Sequence, residues 1–181
     1  TEKHYSTQNG LPKDKISTLF EAPDGKIWIG TNTSGVFMLD PETEKLDSFF
    51  ISDLALSRCI NTIHGDSKGQ IWIGTLGGAY VYNPQSGEKQ YFNTRNGISH
   101  NNIFDIFNDS KGLVWIAAHS NRASIYDGNS FSIFPRDNDI HLHNIFSITE
   151  DVNHGMWLAT DGGGAYRFHG AEPTNFRTDN S

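Results

Sequence analysis

Short apolar runs alternate with polar turns along this chain, and four of the runs are built around tryptophan. They read "DGKIWIGT" at 24–31, "KGQIWIGT" at 68–75, "KGLVWIAA" at 111–118 and "HGMWLAT" at 154–160. Trp28, Trp72, Trp115 and Trp157 are all the tryptophans of the chain, spaced 44, 43 and 42 residues apart. A fixed period in the forties marks a repeat architecture.

Aligned on tryptophan, each repeat opens with a run holding two apolar residues at fixed places: Ile16 and Leu19, Ile60 and Ile63, Ile103 and Ile106, Ile145 and Ile148. The three-residue step also suits a helix, but the runs are short, rich in Ile, Thr and Phe, and bounded by turn residues, which predicts strands. The turns "APDGK", "DSKGQ", "DSKGL" and "DVNHG" follow, with the Asp and Gly chemistry of hairpins. The tryptophan run is apolar at consecutive positions, as in Ile27, Trp28 and Ile29, so both faces of that strand must be covered. A third strand ("VFMLD", "AYVYN", "ASIYD", "AYRFH") and a fourth ("LDSFF", "KQYFNT", "SFSIF", "TNFRT") complete each repeat. Four hairpin-connected strands make one antiparallel sheet, which cannot bury both faces alone; such sheets stack radially as β-propeller blades. The expected fold is therefore all-β: one segment over residues 1–181, of four four-stranded antiparallel blades. A fifth outer-strand candidate at His4–Thr7 implies a slice of a larger propeller, its open ends pairing with other blades or with a second copy of the chain.

The stretch "NGLPKDKISTLFEAPDGKIWIGTNTSGVFMLD" resembles the two-component regulator propeller repeat, with its Gly-Leu-Pro phrase, Ile strand, Asp-x-x-Gly turn and Trp-Ile-Gly-Thr; "NGISHNNIFDIFNDSKGLVWIAA" repeats it with Ile98 for Leu and Ser99 for Pro. The resemblance implies a periplasmic or cell-surface sensor region of a bacterial two-component receptor, commonly a hybrid histidine kinase, often answering to a glycan. Propellers resembling these also occur as lyases of cyclic antibiotics. Repeats two and four lack the Gly-Leu-Pro phrase, and repeat three replaces Gly-Thr with Ala117 and Ala118 and carries Arg122 where the others have Gly35, Gly78 and Gly164. Loss of that glycine predicts a strained turn if it supplies positive φ.

Composition narrows the function. A formal charge of −7 argues against nucleic acid, which needs a basic surface. No apolar stretch approaches the ~18 residues of a membrane span, so a membrane enters only through segments outside this sequence. The single cysteine, Cys59, excludes an internal disulfide and a thiolate cluster. No nucleophile elbow, phosphate-cradling glycine loop or paired-carboxylate motif is present, and neither an enzymatic activity nor a cofactor is expected.

Strands that run alternately up and down sort the loops onto two faces. The lead-in loops (8–15, 52–59, 95–102, 136–144) share one face with the loops after the tryptophan strands (31–35, 75–78, 118–122, 160–164), and this face holds the chemically varied residues. The candidate ligand-binding residues are Arg58, His100, His119, Asn121, Arg122, His141 and His143. His119 and Arg122 suit an anion or sugar-acid grip. "HLH" at 141–143 has a spacing compatible with a metal, but no third ligand is identifiable and no metal is expected. "DND" at 137–139 lacks the glycine and distal glutamate of a calcium loop. The expected ligand is an oligosaccharide or another small anionic or polar molecule. The alternatives are a protein-interaction scaffold using the same face, or a lyase, for which His100, His119 and Glu150 are the loose candidates.

Overall fold

A computed structural model describes residues 2–49, 51, 54–135 and 142–169, together with the backbone of a last strand at Glu172–Phe176. Blade one comprises β1 (Ile16–Glu21), β2 (Ile27–Thr31), β3 (Val36–Leu39) and β4 (Leu46–Phe49); blade two β5 (Ile60–Gly65), β6 (Ile71–Thr75), β7 (Gly78–Tyr82) and β8 (Lys89–Phe92). Blade three comprises β9 (Ile103–Asn108), β10 (Val114–Ala118), β11 (Ala123–Tyr126) and β12 (Phe131–Phe134); blade four β13 (Ile145–Glu150), β14 (Met156–Thr160), β15 (Gly164–His169) and β16 (Glu172–Phe176). Each blade is one antiparallel sheet with its strands in sequence order.

The first strands form the inner row, β1 on β5, β5 on β9 and β9 on β13. The apolar pair read from the sequence makes this stacking. Ile60 of blade two seats on Gly30 of blade one, where a Cβ would lie 2.6 Å from Ile60 Cγ2, and Ile103 seats on Gly74 with the same approach at 2.7 Å. The glycine of Trp-Ile-Gly-Thr is thus a socket for the next blade's isoleucine. Blade three has Ala117 there, fully buried in one cluster with Ile145. Full burial of an isoleucine contributes roughly 1.5–3 kcal/mol, so each leading pair is a main term of its interface.

Blade stacking buries Trp28, Trp72 and Trp115, and in blades two, three and four a turn aspartate satisfies the indole N–H. Trp72 Nε1 donates to Asp66 Oδ2 (2.9 Å), Trp115 Nε1 to Asp109 Oδ2 (2.9 Å) and Trp157 Nε1 to Asp151 Oδ2 (2.8 Å). The other oxygen of each carboxylate accepts two N–H groups of the hairpin turn, as Asp66 Oδ1 does from Lys68 and Gln70. One side chain therefore closes the turn and caps the indole.

The arc does not close on itself. Leu19 is 65% and Ile16 38% exposed, against 4% and 0% for their counterparts Ile63 and Ile60. At the other end Ala159, the socket position, is exposed and Trp157 is only half-buried. The four blades are a slice of a larger propeller. The outer strand expected at His4–Thr7 is absent: Thr7–Asn9 is a 3-10 turn capped by Ser6, because no strand among the described residues lies alongside to pair with it.

Candidate functional site

The loops sort as the strand alternation requires. Each lead-in loop bonds a loop that follows a tryptophan strand: Gly35 N–H to Arg58 O (3.0 Å), Leu76 N–H to Cys59 O (3.2 Å), His119 N–H to Asn102 O (2.9 Å) and Asp161 N–H to Asn144 O (2.9 Å). In blades one, two and four the threonine that ends the tryptophan strand locks its loop through Oγ1 to the carbonyl of Gly35, Gly78 or Gly164, at 2.8 Å in each case. Those glycines have φ of 86°, 136° and 81°.

Blade three solves the same problem differently. Ala118 has no hydroxyl, and Ser99 of the lead-in loop donates its Oγ–H to Arg122 O (2.9 Å) while its own N–H bonds Ser124 Oγ (2.8 Å). Arg122 does not take a positive φ; among the described non-glycine residues only Glu44 and His154 do. The strain expected from the missing glycine is therefore not present, since the loop takes another path held from outside.

That loop carries His119 to the exposed surface, with its ring centroid 5.4 Å from that of His100 and the two rings nearly perpendicular at 80°. Asn102 N–H donates to His100 Nδ1 (3.0 Å), so in the neutral ring the proton sits on Nε2. Phe104 of β9 lies 6.1 Å from His119 and 4.6 Å from Phe146 of β13, and Phe146 is 45% exposed. Asn61 donates Nδ2 to Ile103 O (2.6 Å) and to Asn102 Oδ1 (3.4 Å), which ties the rim of blade two to blade three. Asp105 accepts from Ser147 Oγ (2.8 Å) and Ile148 N–H (3.0 Å) and fixes β13 against β9. An aromatic floor bordered by two imidazoles and two amides results, at the inner rim of blades two to four. Such a floor can pack the C–H face of a ring while the polar border bonds its hydroxyls.

The other candidates fall elsewhere or at the margin. Arg58 borders a separate cavity of about 180 Å³ between blades one and two, beside Ser34, Gly35 and Ser57. Asn121 is exposed and Arg122 half-buried in the His119 loop. His143 lies against Gly163 of its own blade, where a Cβ would meet its Cδ2 at 2.5 Å. His141 and the 137–139 stretch lie outside the described residues, so the His141 and His143 pairing is not seen. No group of three His, Cys, Asp or Glu able to hold a metal ion occurs among the described residues.

Glu150 ends β13 on the opposite face. Its carboxylate accepts from Ser110 N–H (2.7 Å) and Ser110 Oγ (2.6 Å), with His154 Nδ1 at 2.9 Å. A six-residue strand spans about 20 Å, so Glu150 does not converge with His100 and His119 as a lyase site requires. Conversely, sequence reading missed Phe104 and Phe146. Their signal was the position after each leading isoleucine, which is Ser17, Asn61, Phe104 and Phe146 in the four copies.

The family model described as two component regulator propeller matches residues 10–33, 56–77 and 97–120. Three of the four repeats therefore match the two-component regulator propeller repeat, and the fourth does not. No curated protein matches it. Among solved structures, it is 29% identical to the extracellular domain of a hybrid two-component system of B. thetaiotaomicron, over 85% of this chain and 21% of that one, with a TM-score of 0.70. A virginiamycin B lyase of Staphylococcus aureus has a TM-score of 0.74 at 15% identity, over 94% of this chain and 58% of that one. PorZ, a surface component of the type-IX secretion system of Porphyromonas gingivalis, has a TM-score of 0.76 at 15% identity, over 99% and 30%. The last two share the fold alone. The regulator-propeller chain spans about a fifth of the length of the two-component structure.

Proposed function

We propose that these regulator-propeller blades are a non-catalytic part of an extracytoplasmic sensor of a two-component receptor, and that the face of the lead-in loops binds an oligosaccharide. The observation that carries the reading is the cluster of His100, His119, Phe104 and Phe146, an exposed aromatic surface with imidazole donors beside it. Likeness to a two-component extracellular domain supports the receptor context. No helix among the described residues is long and apolar enough to cross a membrane.

The distance between Glu150 and the histidines supports binding without turnover. The test is calorimetric titration with neutral and acidic oligosaccharides, followed by product analysis of the bound sugar. We expect saturable binding, recovery of intact sugar, and a loss of roughly tenfold in affinity for Phe146→Ala, the scale of one aromatic contact. Cleaved sugar would contradict the non-catalytic reading, and an unchanged affinity in Phe146→Ala would contradict the site.

The ends of the arc belong to the same reading. Ile16 and Leu19 offer a further blade what Ile60 and Ile63 offer blade one, and Ala159 offers the matching socket. Exposed apolar faces of this kind mark interfaces. A strictly monomeric mass by light scattering at high concentration, without dye-binding apolar surface, would exclude pairing of this chain with other blades.

A further inference from the structure

Blade one departs from its three sisters at a single framework position. Where they have Asp66, Asp109 and Asp151, it has Ala22, six residues before its tryptophan. Its only turn carboxylate is Asp24, two residues later, and Asp24 closes the turn alone: Oδ1 accepts from Lys26 N–H (3.2 Å) and Oδ2 pairs with Lys26 Nζ (2.7 Å). Nothing replaces the cap on the indole. Trp28 is 2% exposed and makes no hydrogen bond among the described residues, and its Nε1 is not sealed from solvent.

The space left by the missing carboxylate is continuous with a cavity of about 330 Å³ between blades one and two, on the hairpin face. Trp28 and Ala22 form part of its lining, with Met38 and Ile71 as apolar walls and Tyr82 and Pro84 from the neighbouring blade. Its size lies within the range of small-molecule sites. A buried indole that lacks its sisters' acceptor, beside a cavity with apolar walls and a polar rim of Asp24, Lys26 and Gln85, rewards an acceptor carried on an apolar body.

Charge decides what kind of acceptor. Asp24 is at the rim and its single partner, Lys26, is already paired with it. A second carboxylate entering beside Asp24 would meet a like charge and compete with it for Lys26. An uncharged carbonyl meets no such penalty. A sugar is disfavoured here, because Trp28 is 2% exposed and packed against Phe49 and Tyr82, at 4.7 and 5.9 Å, and offers no open platform.

We infer that the cavity beside Ala22 is a second binding site of this protein, taking an uncharged small molecule with an apolar body and a carbonyl that accepts from Trp28 Nε1–H. It lies on the face opposite the oligosaccharide surface and does not depend on that reading. The three aspartates of the other blades show where the acceptor oxygen sits.

The probes are benzamide and N-acetyl-leucinamide, with benzoate as the charged counterpart, titrated into the full chain while the four indole N–H resonances are followed by NMR. Loss of one resonance in Trp28→Phe assigns Trp28. We expect both amides to move the Trp28 resonance saturably, with Kd near about 1 mM for molecules of this size, and benzoate to bind at least about tenfold more weakly. Ala22→Asp rebuilds the cap used by the other blades, and Ala22→Asn fills the same space without charge. Each should abolish the amide response while keeping the sheet spectrum, and Ala22→Asp should raise the melting temperature. The inference is overturned if neither amide moves Trp28, if all four indoles shift alike, if benzoate binds as tightly as benzamide, or if both Ala22 variants still bind. Oligosaccharide binding on the opposite face is unaffected by either variant, so the two sites fail separately.

Discussion

The two faces of this propeller slice are built on opposite rules. On the hairpin face, blades two, three and four repeat one device within a tenth of an ångström: aspartate closing a turn with one oxygen and capping a tryptophan with the other. On the face of the lead-in loops, blade three abandons the threonine lock of its sisters and hands the job to Ser99, and there two imidazoles stand beside half-buried Phe104 and exposed Phe146. Stability rests on the part that repeats, and chemical individuality on the part that does not. Even the exception on the hairpin face obeys this rule, since Ala22 breaks the repeat and opens a cavity.

The strongest way to break the comparison is to remove the repeated device. Trp72→Ala takes away a side chain 1% exposed, stacked on Phe92 and edge-on to Tyr126, and we expect a loss of about 3–5 kcal/mol in chemical denaturation through transfer and cavity terms. Trp157→Ala, on the open side of blade four, should cost about half as much because its indole is already partly in water. Equal losses would show that blade stacking is not what buries the tryptophans.

A smaller effect tests whether Ser99 stands in for the missing threonine. Ser99→Ala and Thr75→Ala each remove one hydroxyl bond to the carbonyl that starts the third strand, and both should cost about 1–2 kcal/mol. Faster amide exchange should follow in 118–122 for the first variant and in 75–78 for the second. If Ser99→Ala leaves the 118–122 loop unchanged, the loop is held by something else.

The smallest effect is electrostatic. Arg167, then Trp157 and the N–H of Gly155, hold the Asp151 carboxyl well below the usual carboxylate range. Its folded pKa lies below its unfolded one, so its contribution is present above roughly pH 4 and is lost as the pH falls toward the folded value. Melting curves taken down the acid limb should therefore show a shallower decline for Asp151→Asn than for the wild type. Parallel curves would mean that the carboxyl adds nothing pH-dependent to blade four.

Much of the hairpin face was legible in the sequence because its parts lie within one turn of each other: the tryptophan, the Asp-Gly turn and the alternating strands all recur at fixed offsets. The socket at Gly30 and Gly74 was visible as a conserved place in the pattern but not as a contact, since the isoleucine that fills it comes from the next repeat. The candidate site was half legible. His100 and His119 were singled out by chemistry and do meet, whereas Phe104 and Phe146 look like ordinary strand residues until neighbouring inner strands bring residues 42 positions apart together. Arg122 stands out in the sequence as the replacement of a glycine, but the hydroxyl that bonds its carbonyl sits in another loop. Arg58 was grouped with the histidines by sharing a face, and the radial spread of blades puts it beside a different cavity.

The claim that the non-repeating face is the binding face is tested most directly by the NMR footprint of the tightest oligosaccharide found by calorimetry. The account predicts shifts centred on Asn61, His100, Asn102, His119 and Phe146, with the turn amides of Lys68, Lys111 and Asn153 on the opposite face unmoved. Shifts confined to those turns, or a panel of neutral and acidic oligosaccharides in which none binds, would contradict it.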